Sequence, residues 1–293
     1  METGSLVASA GPTQPTARPT VEIPSIDWWI TSRCQLACDF CYGPVPGRDP
    51  VGLRDEIVTA LEKSSASVVT FCGGEPLLVR DVGKYARRLV NSGKRTVLNT
   101  NGLLLRRRAD QGLDLAFSAV GLSIDGSTEA VHRGMRGAKA DLGEVVHAAE
   151  LVTSAPGMSL KLATVVSAVN RHDLPALATL VRGLNPHIWR LYQYSSRGEH
   201  NSGQQRHALP EAQFHSLAEM AARLAAPVPT APSAEDLSAG CLIVDPAGNI
   251  LQPDGSGYVS RGNCLDEPID DIWARMTVDT IIENKRWLSV LAE

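Results

Sequence analysis

Ser25-Ile26-Asp27-Trp28-Trp29-Ile30-Thr31-Ser32-Arg33-Cys34-Gln35-Leu36-Ala37-Cys38-Asp39-Phe40-Cys41-Tyr42 runs from an apolar, aromatic-rich stretch straight into three thiols spaced C-x-x-x-C-x-x-C. The first seven residues read as a strand, because β-branched and aromatic side chains fit a pleated buried surface. Three thiolates held this close suit a soft metal, and thiolates are the ligands of iron–sulfur clusters. A cubane cluster asks for a ligand on each of four irons. This loop supplies three and leaves one iron open to a ligand that is not protein. Tyr42, beside the last cysteine, is an aromatic able to keep water off such a centre.

A second apolar strand, Ser67-Val68-Val69-Thr70-Phe71, enters Cys72-Gly73-Gly74-Glu75-Pro76. The glycines permit a tight turn and a close backbone approach. Backbone carbonyls and the Glu75 carboxylate suit an ammonium group, and Pro76 opens a helix at its first turn. A structural zinc site, with Cys72 or a histidine as fourth ligand, is the bland alternative. Zinc sites usually pair two C-x-x-C knuckles, however, and do not call for a Gly-Gly-Glu-Pro turn. A disulfide framework fits worse, since three cysteines in one short loop cannot pair among themselves.

Outward from these two stretches, strands and helices alternate. Helices are expected at Leu53–Leu61, Val82–Val90, Glu144–Val152, Leu174–Leu184 and Glu211–Leu224, with strands at 96–100, 119–125, 159–166 and 188–194. Near-continuous apolar strands between helices indicate a parallel sheet covered by helices. Six units cannot close the eight-stranded barrel, so the expected core is an α/β, open, partial (β/α)6 TIM-type barrel over residues 25–226. Residues 1–24, rich in Ala, Thr and Pro, read as a disordered extension. Residues 227–293 read as a Pro/Ala/Ser-rich linker, a hairpin at Cys241–Gln252 and a short helix at Ile269–Met276.

The chain has 293 residues with 43% hydrophobic and 20% charged, ordinary for a globular protein. A net charge of −4 gives no electrostatic case for nucleic acid or an anionic membrane. The basic run Arg106-Arg107-Arg108 is expected on a solvated helix face. No run of eighteen apolar residues or secretory leader is visible, and six cysteines, three of them clustered, point to a reducing compartment. A cytoplasmic location is expected. The seven histidines show no metal-ligand spacing and are expected at the surface or in loops.

The cysteine spacing and the Gly-Gly-Glu-Pro turn, each following a strand, resemble the radical S-adenosylmethionine (SAM) enzymes. The resemblance implies that Cys34, Cys38 and Cys41 bind a [4Fe–4S] cluster whose fourth iron is chelated by SAM. Reductive cleavage of SAM then yields a 5′-deoxyadenosyl radical that takes a hydrogen atom from a substrate, with the electron drawn from an external flavodoxin- or ferredoxin-type reductant. By the same resemblance Gly73, Gly74, Glu75 and Pro76 receive the SAM amino group, Ser123 meets its ribose and Arg136 pairs with its carboxylate. Asn101, at the same strand edge, is placed with these cofactor contacts. No side chain is singled out as catalytic.

The second half is similar to viperin-like nucleotide enzymes. The similarity rests on Lys161-Leu162-Ala163-Thr164-Val165-Val166 with Asn170, on Leu184-Asn185-Pro186-His187-Ile188-Trp189-Arg190-Leu191-Tyr192-Gln193, and on Asp245-Pro246-Ala247-Gly248 with Gln252. It implies Lys161 and Arg190 as cationic contacts to a small-molecule, nucleotide-type substrate. Ala163 and Arg190 depart from that family, which carries Asn and Lys there. Gly262-Asn263-Cys264 resembles a truncated SPASM-like tail, for which Cys241 and Cys264 supply too few thiols to hold a full auxiliary cluster. Two other functions fit the residues: a SPASM-like enzyme that modifies peptides or oxidises alcohols, and a non-catalytic metal-binding scaffold.

Overall fold

The computed structural model describes residues 23–44, 47, 49–113, 115–196, 201, 204–227, 229–231, 242–254 and 257–276. The N-terminal extension up to residue 22, most of the linker, Cys241 and residues 277–293 lie outside them.

Six parallel strands form the centre: β1 (Ser25–Thr31), β2 (Val68–Gly73), β3 (Arg95–Thr100), β4 (Ala119–Ser123), β5 (Ser159–Val166) and β6 (Ile188–Gln193). They lie in sheet order 6-5-4-3-2-1, each beside its sequence neighbour. The connecting helices are α1 (Arg54–Lys63), α2 (Val82–Asn91), α3 (Leu105–Asp110), α4 (Glu129–Arg136), α5 (Leu142–Ser154), α6 (Leu174–Leu184) and α7 (Glu211–Leu224). This is the expected open (β/α)6 core. A hairpin-like extension follows, with β7 (Ile243–Val244), β8 (Asn249–Asp254), β9 (Gly257–Asn263) and α8 (Ile269–Arg275). β7 pairs parallel with β1, Asp27 opposite Ile243, so the extension continues the same sheet.

Pairing sorts the side chains of this sheet onto two faces, because alternate residues point to opposite sides. Ile26, Trp28, Ile30, Phe71, Leu98, Leu122, Leu162 and Trp189 are fully buried in the main core under the helices. Trp28 meets Phe71 with ring centroids 5.3 Å apart and Tyr85 at 5.7 Å. The opposite face carries, in register, Trp29 opposite Cys72, then Asn99, Gly121 and Lys161 in a row, and then Ser123 opposite Ala163. This inner face mixes polar Asn99, Lys161 and Ser123 with apolar or small residues, and it lines the site.

Several local features depart from the expected elements. β4 ends at Ser123, two residues early, because the Asp125 carboxylate replaces the next ladder acceptor: Val165 N donates to Asp125 Oδ1 at 2.7 Å. α4 and β9 were not foreseen, and of α3 only the helix face of Arg106, Arg107 and Arg108 was. α4 is too short to show a period, yet it is capped by Thr128, whose hydroxyl accepts from Val131 N. β9 has no alternation to read, since Tyr258 and Val259 are adjacent and the rest is glycine or polar. Arg106 is exposed on α3 as expected, whereas Arg108 donates back to Arg80 O at 2.7 Å. No helix among the described residues is long and apolar enough to cross a membrane.

His132, expected at the surface or in a loop, is 1% exposed on α4, and His207 lies in the connection after β6, as a loop residue would, but is 0% exposed. His207 meets Asp39 and Ser167, both distant in sequence, whereas His132 meets Asp125 seven residues before it. His132 Nδ1 accepts from Asp125 N at 3.3 Å, so the ring is needed neutral. Burial, helped by the nearby Arg136 cation and opposed by Asp125, Glu129 and Asp141, lowers its pKa to about 4.

An unfolded histidine titrates near 6.5, so the folded form resists a proton that the unfolded chain accepts. This stability is fully present above about pH 6.5 and is lost as pH falls towards 4; roughly 2 kcal/mol should be gone by pH 5. Denaturant titration at several pH values checks this, and His132→Asn should flatten the slope in that window.

Candidate functional site

The cysteine loop is joined to the glycine turn by an extension of the β1–β2 pairing. Gly74 N donates to Thr31 O at 2.7 Å and Glu75 N to Arg33 O at 2.8 Å. Gly74 has no room for a side chain: a Cβ there would lie 2.2 Å from the Arg33 carbonyl oxygen. Gly73 takes φ +111°, outside the range of ordinary residues. Behind the loop, Asp49 accepts from the Thr31 hydroxyl and, at 2.5 Å, from Ser32 N, while Arg54 Nη2 holds it at 3.0 Å.

Cys34, Cys38 and Cys41 line one cavity of about 180 Å³, together with Gly73, Gly74, Asn99, Asn101, Ser123, Arg136 and Lys161. Trp29, Leu36, Phe40, Val165 and Tyr192 supply the apolar part of its wall. Burial pushes all three thiols up, Cys38 to about 12, with Arg136 drawing each back down. As thiols they are neutral, and binding a metal would displace their protons.

Arg136, at the end of α4, is anchored by Asp125, Nε to Oδ2 at 2.5 Å, with side chains 11% and 0% exposed. Its guanidinium lies 5.6 Å from the centroid of the Phe40 ring. The loop after β6 grips the cysteine loop from the other side. Asn201 Nδ2 donates to Phe40 O at 2.7 Å, His207 Nε2 meets Asp39 Oδ1 at 2.7 Å, and Arg206 Nη2 meets Asp39 Oδ2 at 2.5 Å.

Not every residue chosen from sequence reaches this cavity. Glu75 is fully buried and is not on its wall. Its Oε1 accepts from Leu77 N at 2.9 Å and Thr100 Oγ1 at 2.7 Å, and its Oε2 accepts from Asn101 N at 2.9 Å. Burial pushes its pKa up against these bonds. Glu75 thus stitches the glycine turn to the end of β3 rather than presenting a carboxylate to a ligand. Pro76, also buried, opens the single turn Pro76–Leu78. Arg190 is 4% exposed, donates from Nε to Thr230 Oγ1 at 3.2 Å and is absent from the cavity wall. Sequence reading had missed Trp29, Asp39, Asp49, Tyr192, Asn201 and His207. Asp39 stood inside the motif, but its partner lies 168 positions away.

Among the described residues no group of three or more His, Cys, Asp and Glu side chains, the three cysteines included, is gathered closely enough to hold a single metal ion. What the cavity offers is an incomplete set: three thiols of soft-ligand chemistry, a glycine cradle and a flanking cation. That donor set fits a centre completed by a ligand from outside the protein. Cys264 is buried, and pushed up to about 12 by burial, away from this wall.

The family model described as the Radical SAM superfamily matches residues 29–181. Among relatives, the Fe-coproporphyrin III synthase of Methanosarcina barkeri is 29% identical over 54% of this chain and 41% of that protein. The S-adenosylmethionine-dependent nucleotide dehydratase of Lacinutrix mariniflava is 25% identical over 78% of this chain and 50% of that protein. The chain therefore spans about half the length of these relatives. Among solved structures, Streptococcus suis SuiB bound to S-adenosylmethionine superposes with a TM-score of 0.66 at 14% identity, covering 91% of this chain and 68% of that one. That likeness is one of fold.

Gly74→Ala should drive a methyl into the Arg33 carbonyl and pry the turn from the cysteine loop. A thermal-melt loss of several degrees is expected, with metal uptake on reconstitution reduced at least tenfold. Gly93→Ala, where a Cβ would meet nothing within 4 Å, should leave metal uptake at the parent level, with only the cost of its positive φ on stability.

Proposed function

The chain belongs to the radical SAM superfamily, and from that premise we propose that it is an enzyme which cleaves SAM reductively and acts on a small, anionic, nucleotide-type substrate. One observation carries the reading: Cys34, Cys38 and Cys41 open onto the same cavity as the Gly73-Gly74 turn and Arg136. In this reading the three thiolates hold a [4Fe–4S] cluster with SAM on its open iron. When bound, these supply a 5′-deoxyadenosyl radical that takes a hydrogen atom from a substrate carbon.

The chain's own residues bind, orient and exclude water. The Gly74 backbone, bare of a side chain, lets the Arg33 carbonyl close against the turn and so holds the cysteine loop beside the cavity. Arg136, locked by Asp125, keeps its positive charge beside the thiolates and offsets the charge they gain on losing protons. Its terminal nitrogens suit a carboxylate such as that of SAM. Ser123, on the same wall, suits a ribose hydroxyl. Trp29, Leu36, Phe40 and Tyr192 narrow the space open to water, which a carbon radical requires.

Lys161 decides the substrate class in this reading. It stands on the inner face between Gly121 and Ile188, 3% exposed, on the wall of the cavity. A cation there suits phosphate. The likeness to a nucleotide dehydratase over 78% of the chain supports the same class. Arg190, opposite Ala163 on the neighbouring strand, holds Thr230 in this reading rather than the substrate. An external one-electron reductant of flavodoxin or ferredoxin type completes the proposal.

Anaerobic reconstitution should give about four irons per chain, and SAM with dithionite should yield 5′-deoxyadenosine. Cys34→Ala, Cys38→Ala and Cys41→Ala should each abolish that yield. Adding a panel of nucleoside triphosphates should accelerate release with at least one, and Lys161→Met should weaken that effect about tenfold or more, near 1.4 kcal/mol per decade. Zinc in place of iron would overturn the metal assignment. Release indifferent to every nucleotide would overturn the substrate class.

A further inference from the structure

We propose that Asn101 sets the electron affinity of the metal centre by donating a side-chain hydrogen bond to the sulfur of Cys34. The inference rests on the cluster assignment above but adds a role that the cysteine motif does not contain.

Asn101 follows β3 and is 8% exposed. Its backbone N donates to Glu75 Oε2, which pins the residue from behind at 2.9 Å. Its side-chain oxygen accepts from Leu103 N at 3.1 Å and from Gln35 Nε2 at 3.1 Å. The two ends of an asparagine amide cannot be told apart by shape, and their assignment follows from the bonds they make. A backbone N–H only donates, so the atom facing Leu103 N must be the oxygen. The amide nitrogen is thereby turned to the other side, where Nδ2 lies 3.8 Å from Cys34 Sγ. Gln35, next to Cys34 in sequence, reinforces the same orientation.

The three sulfurs are thus unequal. Cys34 Sγ takes an N–H from Leu36 at 3.4 Å and the Asn101 side chain besides, and it also meets the Gln35 side-chain carbonyl oxygen at 3.9 Å. Cys41 Sγ takes one from Gly43 N at 3.3 Å. Cys38 Sγ instead meets a carbonyl, Arg136 O, at 3.5 Å. Of these N–H donors only that of Asn101 belongs to a side chain, so it alone can be changed without touching the loop backbone. A donor to a ligating sulfur draws negative charge off it and favours the state with one more electron, which raises the reduction potential.

The test is a potentiometric titration, followed by electron paramagnetic resonance, of the reconstituted parent, Asn101→Leu, Asn101→Asp and Gln35→Leu. Iron and sulfide per chain are measured first, since a parent that loads no cluster overturns the cluster assignment itself and this inference with it. In loaded protein, Asn101→Leu and Asn101→Asp should titrate at more negative potential than the parent. Asn101→Asp should move further, because it adds a charge as well as losing the donor. Gln35→Leu should move least. Loaded variants that keep the parent potential while losing thermal stability would reduce Asn101 to a structural role and overturn the proposal. The parent alone provides a second readout: with ¹⁵N-labelled asparagine its reduced cluster should show a ¹⁵N coupling by electron–nuclear double resonance, and absence of that coupling overturns the proposal even if a variant fails to fold.

Discussion

Two backbone hydrogen bonds and one missing side chain organise this protein. Gly74 N to Thr31 O and Glu75 N to Arg33 O carry the β1–β2 pairing past the end of the sheet. The cysteine loop and the glycine turn thereby become neighbours in a fixed register instead of two loose connections. The approach is closer than any Cβ allows. A loop with three cysteines would otherwise pay a large conformational cost to hold them together; here the sheet edge carries part of that cost. Asp49 and Arg54 brace the loop from its other flank, and Asn201 and His207 close it from the loop after β6.

Polar burial is the second constraint. Asp125 and Arg136 sit together out of water, and a pair of that kind is tolerated only when its remaining lone pairs and protons are engaged. Asp125 meets this through Val165 N on one carboxylate oxygen and Arg136 on the other, while its backbone binds His132 and Asn170. The result ties α4 to the ends of β4 and β5 and leaves a cation against Phe40 and the thiols. The same logic explains Glu75, whose three hydrogen bonds join the turn after β2 to the end of β3. Both carboxylates build the site without standing in it.

Much of this architecture was legible beforehand, for a definite reason. Strands packed under helices are rich in aliphatic and aromatic residues, so β1 to β6 announce themselves despite the polar residues on their inner face, and their alternation with helices restricts the sheet to parallel order. The two motifs also lie at strand ends, where a parallel α/β sheet collects its ligands. What escaped were elements whose signal is not periodic. α4 has eight residues, and the large apolar residues of β9, Tyr258 and Val259, are adjacent rather than alternating. The third strand of the extension left no pattern beyond a turn.

Residue type, spacing and strand pattern, all local properties of the chain, were enough to determine the three thiols, the bare-backbone turn and the open (β/α)6 sheet. Only the tertiary structure decided which side chains face the cavity. Lys161 reaches its wall whereas Arg190 turns to Thr230, and Asp39 is gripped by His207 across 168 positions of sequence. Partners so far apart leave no trace in either segment alone. Their meeting depends on the register of strands and the path of loops, which are set by the packing of the whole sheet.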